Sequence, residues 1–451
     1  MDVSYILDNL NDEQRQAVTS EKQHLMVLAG AGSGKTRVLV HKVAWQVEAL
    51  RKSPSSIMAV TFTNKAASEM RSRIEELLQS PAMDLWCGTF HGLSHRLLKR
   101  FNKEADLASG FTILDSDDQL RIIKRISKEL NLDEAAWPSR QSQWQINAWK
   151  DDGLRSSKVK DNGDFFKETI KNIYKQYEEV CIQDNLLDFG ELLLKSYEVI
   201  KKNEVVRSYF HTRFKTVLID EFQDTNSIQY KWLLEISSKD ASITAVGDDD
   251  QSIYGWRGAD IANILNFEKI FPSCKTFTLE KNYRSTQQIL DAATAVVGHN
   301  QKRAKKNLIA NNGDGDPLVL IETKDELEEA DAIISALEKE IKLHKRNFSH
   351  FSVLYRTNAQ SRALEDSFRR TGIPYNLVGS VRFYDRKEVK DALGYLKLVI
   401  NLLDTISLRR IVNFPPRGIG MKTMDKCVAK SQEERIGLFE VLKNSIFKCQ
   451  D

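Results

Sequence analysis

Long apolar runs are missing from these 451 residues. No stretch approaches the roughly 18 residues needed to cross a bilayer as a helix, so no membrane span is expected. The opening Met1-Asp2-Val3-Ser4 has an early acid and no basic flank before an apolar segment, so a secretory leader is not expected either. Cysteine is scarce: Cys87, Cys181, Cys274, Cys427 and Cys449 stand far apart without paired spacing. That argues against a zinc cluster and a disulfide framework, and it fits a reducing cytoplasm. Repeats and low-complexity tracts are lacking. The net charge is only +3, so any affinity for nucleic acid has to come from local basic surface.

What is present is a chain that is 41% hydrophobic and 29% charged, long enough for about two to four domains. Short β-rich apolar runs at 24–29, 56–62, 85–90, 216–222, 243–248 and 276–279 alternate with helical stretches such as 64–78, where Ala67, Met70, Ile74 and Leu78 recur at helical spacing. Continuous apolar strands alternating with helices predict an α/β fold, a parallel sheet covered on both faces. Between 91 and 214 the pattern is helical, charged and rich in tryptophan (Trp137, Trp144, Trp149), which reads as an insertion in the first α/β domain. A second α/β series starts near 281, with strands expected at 318–322, 351–356 and 375–379 and helices at 326–344 and 359–370. From about 380 the chain is helical again and reaches Asp451 without another strand pattern.

The run Leu25-Met26-Val27-Leu28 leads into Ala29-Gly30-Ala31-Gly32-Ser33-Gly34-Lys35-Thr36 and then Arg37-Val38-Leu39-Val40. A strand, a glycine-rich loop and a helix start aim backbone N–H groups and the positive end of a helix dipole at one spot, which suits a polyphosphate. Lys35 adds a point charge for the outer phosphates, and the Thr36 hydroxyl is a ligand for Mg²⁺. Val217-Leu218-Ile219-Asp220-Glu221 is an apolar strand ending in two carboxylates. Asp220 can hold Mg²⁺ through water, and Glu221 can orient and deprotonate an attacking water. Gly247-Asp248-Asp249-Asp250-Gln251 ends a third strand and offers the Gln251 amide to a γ-phosphate. Beyond it, Tyr254 and Trp256 suit base stacking at about 1–3 kcal/mol per base. The Asp run lacks the final Glu of a calcium loop.

Leu10-Asn11-Asp12-Glu13-Gln14-Arg15, AGAGSGKT, Thr61-Phe62-Thr63-Asn64-Lys65-Ala66-Ala67, Gly88-Thr89-Phe90-His91, DEFQDT, GDDDQSIYGWRGA and Leu279-Glu280-Lys281-Asn282-Tyr283-Arg284-Ser285-Thr286 together resemble the superfamily-1 UvrD/Rep-like DNA helicases. Residues 1–5 and 383–390 add to the resemblance, which covers essentially the whole chain. It implies a RecA-like P-loop motor domain (1–90 and 215–280), a helical insertion (91–214), the first half of a second RecA-like domain (281–379) and the start of a helical subdomain (380–451). ATP would lie between the two α/β units. Gln14 would meet the adenine edge and Tyr283 its face; Arg37 would lie beside the phosphates, and Arg284 would act as an arginine finger.

By the same resemblance, Phe62, Thr63, Asn64, Thr89, Phe90, His91, Phe189, Tyr254, Trp256 and Arg257 would grip single-stranded DNA, joined by Arg356 and Asn358 from the second unit. A core role competes for Phe62, Phe90 and Phe189, and a helix-start role for His91. Asn413-Phe414-Pro415-Pro416-Arg417-Gly418-Ile419-Gly420 resembles a hairpin that touches duplex backbone, against a plain turn. Lys302-Arg303-Ala304-Lys305-Lys306 reads as a solvated basic face rather than a dedicated site. The family's two later motifs are not in these residues, so a longer parent protein and poor hydrolysis by this chain are expected.

The activity implied is ATP-driven 3′→5′ movement on single-stranded DNA with separation of duplex at single-strand/double-strand junctions, alongside mismatch- and excision-repair proteins. Two other readings stay open: a nucleotide-gated single-strand-binding fragment, and a P-loop kinase or small-molecule ATPase. The last leaves Phe62-Thr63-Asn64 and Tyr254-Gly255-Trp256 without a purpose.

Overall fold

The computed structural model describes residues 3–82, 84–301, 303–378, 387–434 and 436–447. Two compact units divide at Asp316 and Pro317.

The first unit is built on a sheet of six strands: β1 (His24–Ala29), β2 (Ile57–Thr61), β3 (Trp86–Thr89), β4 (Thr216–Ile219), β5 (Ser242–Gly247) and β6 (Lys275–Leu279). They lie in the order β3-β2-β4-β5-β1-β6, and every neighbouring pair is parallel. Val27 of the inner strand β1 sits opposite Val246 on one side and Phe277 on the other. Parallel neighbours force each connection to cross over a face of the sheet, so both faces are covered and the strands are apolar throughout.

Side-chain alternation splits the strands between two cores. Met26, Met58, Val60, Trp86, Val217, Ile219, Ile243 and Ala245 face one side, where they meet Leu97, Leu193, Phe210, Phe214 and Trp232. Leu25, Val27, Ala29, Ile57, Ala59, Leu218 and Val246 face the other, against Val38, Leu39, Val43, Met70 and Ile74. Each fully buried aliphatic side chain of this kind contributes about 1.5–3 kcal/mol.

Residues 90–213 are mostly helical: Phe90–Arg100, Ser116–Glu129, Ser139–Asp151, Phe165–Gln183, Phe189–Lys202 and Glu204–Arg213. Asp115, Asp164, Asp188 and Asn203 cap four of these helices through their side chains. The interior of this layer holds charge. Lys150 is 1% exposed, and its Nζ lies 2.7 Å from Asp188 and 3.0 Å from Glu191. Arg155 joins Glu191, Glu198 and Glu178 at 2.7, 2.9 and 3.3 Å. The Tyr177 hydroxyl donates to Asp188 at 2.7 Å.

Residues 281–316 pack within the first unit, where Ile309–Ala310 pairs in parallel with Lys281–Asn282. In the second unit, helices Glu326–His344 and Ser361–Thr371 fall where the periodicity places them. The strands expected at 318–322, 351–356 and 375–379 are not formed among the described residues (Gly379 lies outside them). Leu320 is 95% exposed, Leu354 92% and Val378 85%. An apolar run becomes a strand only where a neighbour takes its N–H and C=O groups, and no ladder partner lies beside these runs among the described residues. Asn413 to Gly420 forms a turn in which Arg417 donates to the carbonyls of Ile411, Val412 and Phe414. Of residues 383–390, those from 383 to 386 lie outside the described residues.

Candidate nucleotide pocket and nucleic-acid face

In a parallel sheet the loops after the strands gather at one edge, where crossovers in opposite directions leave a crevice. The loop after β1 runs from Gly30 to Gly34, and helix Lys35–Glu48 starts at its end. Gly32 and Gly34 have φ of +70° and +88°, conformations that an L side chain resists. A Cβ on Gly32 would come within 2.6 Å of the Arg284 Cβ, and one on Gly34 within 2.6 Å of Gln14 Nε2. Ser33 closes the loop by donating from Oγ to the Gly30 carbonyl at 2.8 Å.

The paired acids stand directly beside this loop. Lys35 Nζ lies 2.9 Å from Glu221 Oε2, and Thr36 Oγ1 donates to Asp220 Oδ2 at 3.1 Å. Burial, reinforced by the neighbouring Glu221 charge, pushes the Asp220 carboxyl up to about 6. A buried carboxylate beside a threonine hydroxyl offers hard oxygen donors, so the donor set fits Mg²⁺. Asp224 is pushed up to about 7 by burial and by Glu221, and its Oδ1 is buried without a partner. Glu221 has φ +51°, a left-handed conformation that costs a residue with a side chain about 1–3 kcal/mol and is held only where the surroundings enforce it.

Gln223 and Asn282 were not singled out from sequence, yet both organise the pocket. Gln223 donates to Glu221 Oε2 at 2.9 Å and accepts from the Asp248 backbone N–H at 2.9 Å. Gln251 donates to Asp248 Oδ2 at 2.6 Å. Asn282 is 1% exposed; its Nδ2 donates to the Ala31 carbonyl, and its Oδ1 accepts from the N–H groups of Arg284 and Ser285, each at 2.8 Å. The Tyr283 N–H donates to the Gly32 carbonyl at 2.9 Å. The segment bearing Tyr283 and Arg284 is thus stitched to the loop. The signal for Asn282 was its place just before Tyr283-Arg284; for Gln223, its place within the acidic motif.

Gln14 is fully buried. Its Nε2 donates to the Ser33 carbonyl at 2.8 Å and its Oε1 accepts from the Asn11 N–H at 3.2 Å, so in this arrangement it braces the loop. Asn11 Nδ2 donates to the Tyr283 hydroxyl at 2.9 Å. Arg37 is exposed and reaches the Asn9 carbonyl at 3.4 Å.

Along the same edge lies an aromatic strip. Phe62 stacks on Tyr254 with centroids 5.1 Å apart, and the Arg257 guanidinium lies 4.5 Å from the Trp256 ring centroid. Trp256 is 73% exposed and Phe189 54%, so both rings are open to stacking partners. His91 meets the Phe189 ring edge-to-face at 5.9 Å, and burial pushes its imidazole down to about 4. Thr63 and Asn64 are exposed at the start of helix Asn64–Leu78, which Thr63 caps. Thr89 caps the next helix and donates to Asn64 Oδ1 at 3.5 Å.

Two expectations are corrected. Phe90 is 3% exposed and meets Trp232 edge-to-face in the core, so its ring is not part of the strip. The run 303–306 is only partly solvated: Lys305 is exposed, but Lys306 is 5% exposed and Arg303 pairs with Asp250 at 2.8 Å; Lys302 lies outside the described residues. Arg356 and Asn358 are exposed in the second unit, and the Arg356 N–H donates to Gln360 Oε1 at 2.9 Å.

Residues 10–272 match the UvrD/REP helicase N-terminal domain, and residues 277–451 match the UvrD-like helicase C-terminal domain. The chain is 46% identical over 446 residues to DNA helicase II of Escherichia coli (strain K12), covering 98% of this chain and 61% of that protein. DNA helicase II of Haemophilus influenzae is 44% identical over 447 residues, 98% of this chain and 61% of that protein. ATP-dependent DNA helicase PcrA of Staphylococcus epidermidis is 40% identical over 442 residues, 97% of this chain and 60% of that protein. The chain spans about three-fifths of the length of these relatives. Its α/β architecture with a parallel central sheet is that of a RecA-like helicase fold. Matches running from residue 10 to residue 451 lead to one conclusion: the chain belongs to the UvrD/REP helicase family.

Proposed function

We propose that the complete protein binds and hydrolyses ATP with Mg²⁺ at the phosphate loop of the first unit and uses the cycle to move 3′→5′ along single-stranded DNA, opening duplex at junctions in mismatch and nucleotide excision repair. The observation that carries this reading is the meeting of Lys35 with Glu221 at 2.9 Å and of Thr36 with Asp220 at 3.1 Å, on a loop whose Gly32 abuts Arg284. Thr36 and, through water, Asp220 would hold Mg²⁺, whose charge would offset that of the phosphates. Lys35 would leave Glu221 for the outer phosphates when nucleotide arrives. Glu221, so released, takes the proton of the attacking water as its oxygen bonds to the γ-phosphorus and the bond to the ADP oxygen breaks. Arg284 and Gln251 would meet the charge that develops on the γ-phosphoryl oxygens, and an arginine in that role is worth about 10³–10⁵ in rate. Tyr283 stacks on the base.

The rings of Phe62, Tyr254, Trp256 and Phe189, with Arg257, would stack on successive bases, and Thr63, Asn64, Thr89, His91, Arg356 and Asn358 would touch the strand. The division into 1–90 with 215–280, 91–214, 281–379 and 380–451 is proposed on the same footing.

The test is ATP turnover with and without oligo-dT, on the chain and on Lys35→Ala. Stimulation by oligo-dT that falls about 100-fold or more in the variant is expected. Turnover indifferent to oligo-dT, or surviving the substitution, would falsify the reading. Nucleotide-dependent strand affinity without turnover would favour a gated binding protein instead.

A further inference from the structure

The run 303–306 closes a circuit that the catalytic reading leaves unexplained. Lys306 Nζ lies 2.6 Å from Asp248 Oδ1 and 3.3 Å from Asp250 Oδ2, and it also contacts Asp249 Oδ1. The other oxygen of Asp248 accepts from Gln251 Nε2 at 2.6 Å. One carboxylate therefore joins a buried ammonium to the amide proposed for the γ-phosphate. From the Asp248 N–H the path continues through Gln223 to Glu221, with both bonds 2.9 Å long.

On its other side, Lys306 is two residues from Leu308, whose Cδ2 would lie 2.3 Å from a Cβ on Gly30. Ile309–Ala310 then pairs with Lys281–Asn282, immediately before Tyr283 and Arg284. Arg303 grips Asp250 through two bonds of 3.0 and 2.8 Å, and the Ala304 N–H donates to Asp249 at 2.6 Å, so the loop is fixed before Lys306 enters. Burial alone would lower the ammonium's proton affinity, but Asp248 and Asp249 outweigh it and hold the charge in place. An apolar residue would fill the volume at no desolvation cost, yet it could not hold three carboxylates in one arrangement.

We propose that Lys306 is a positioning residue for ATP hydrolysis: by pinning Asp248 and Asp249 it fixes Gln251 and, through the 306–310 run that follows it, the Arg284-bearing segment beside the phosphate loop. This inference rests on the ATPase reading above. It is tested with Lys306→Met, Lys306→Arg and the double variant Lys306→Met/Asp249→Asn, the last removing one of the acids that Lys306→Met leaves unpaired. Nucleotide sites are counted by titration with a fluorescent ATP analogue, and kcat and KM are measured per site with oligo-dT.

Displacing catalytic groups by an ångström or less supports an expected fall in kcat per site of about tenfold or more for both methionine variants. Lys306→Arg should recover most of the rate, because a staple that only holds the fold together would change the number of sites and leave their rate alone. A kcat per site within about twofold of the unaltered chain in the double variant overturns the proposal. The Lys35→Ala arm separates the two failures. If it abolishes turnover while the Lys306 variants run at full speed, only the positioning role falls; if it leaves turnover intact, the ATPase reading falls and takes this one with it.

Discussion

Two short apolar stretches of this chain, 57–60 and 318–321, are nearly interchangeable in composition and opposite in fate. Ile57, Met58, Ala59 and Val60 are each 0 or 1% exposed, with β3 on one side of them and β4 on the other. Leu318, Val319, Leu320 and Ile321 are 59, 82, 95 and 53% exposed, with no ladder partner among the described residues. Lysine gives the converse case. Lys150 is 1% exposed and Lys306 5%, each held among carboxylates. What a side chain faces decides its burial here more than its own hydropathy.

Four substitutions test that contrast. Lys150→Met should cost the most, about 3–5 kcal/mol in denaturant unfolding, because Asp188 would stay buried without its cation and Glu191 would keep only Arg155. A neutral outcome would mean that water reaches the site and that partnership does not explain the burial. Met58→Ala removes most of a fully buried side chain in the sheet core, and about 2–5 kcal/mol should be lost.

Asp151 probes the contact between the helical layer and the acidic strand end, since Asn226 Nδ2 donates to its Oδ1 at 3.0 Å. Burial is the main cause that pushes its carboxyl up to about 7. The folded chain then keeps a proton that the unfolded chain has already released. This contribution to stability is fully present below about pH 4 and is lost as pH rises through about 7. Melts between pH 5 and 8 should fall less steeply for Asp151→Asn, by about one proton's worth of slope; parallel curves would place the charged form comfortably in the fold. Leu320→Ser should do least, shifting stability by within about 0.5 kcal/mol. A loss as large as that from Met58→Ala would show a partner for 318–321 and erase the contrast.

The same principle explains what could be read in advance. Strands β1, β4 and β5 around the phosphate loop were legible because each is a largely apolar run that leads into glycine or acid, and a parallel sheet puts all such ends on one edge. Lys35, Thr36, Asp220 and Glu221 converge for that reason. The fate of 318–322 was not legible, because a run carries no record of its neighbours. Nor was the burial of Lys306, although three adjacent aspartates at a strand end should have demanded a counter-charge. For Phe90 the sequence leaves a DNA-gripping and a core role in competition, since the residue after a strand can turn either way; here the helix start aims it at Trp232. Gln14 was assigned from its motif alone, and its use as a brace depends on where the loop carbonyl of Ser33 falls.

The left-handed backbone at Glu221 has a practical corollary for anyone engineering heat resistance into this protein. Routine schemes replace such residues with glycine or asparagine, and at this position either change would relieve the strain while deleting the group proposed to activate water. Variants chosen by melting temperature alone would therefore accumulate robust proteins that have lost their turnover, so any such screen has to score ATP consumption alongside.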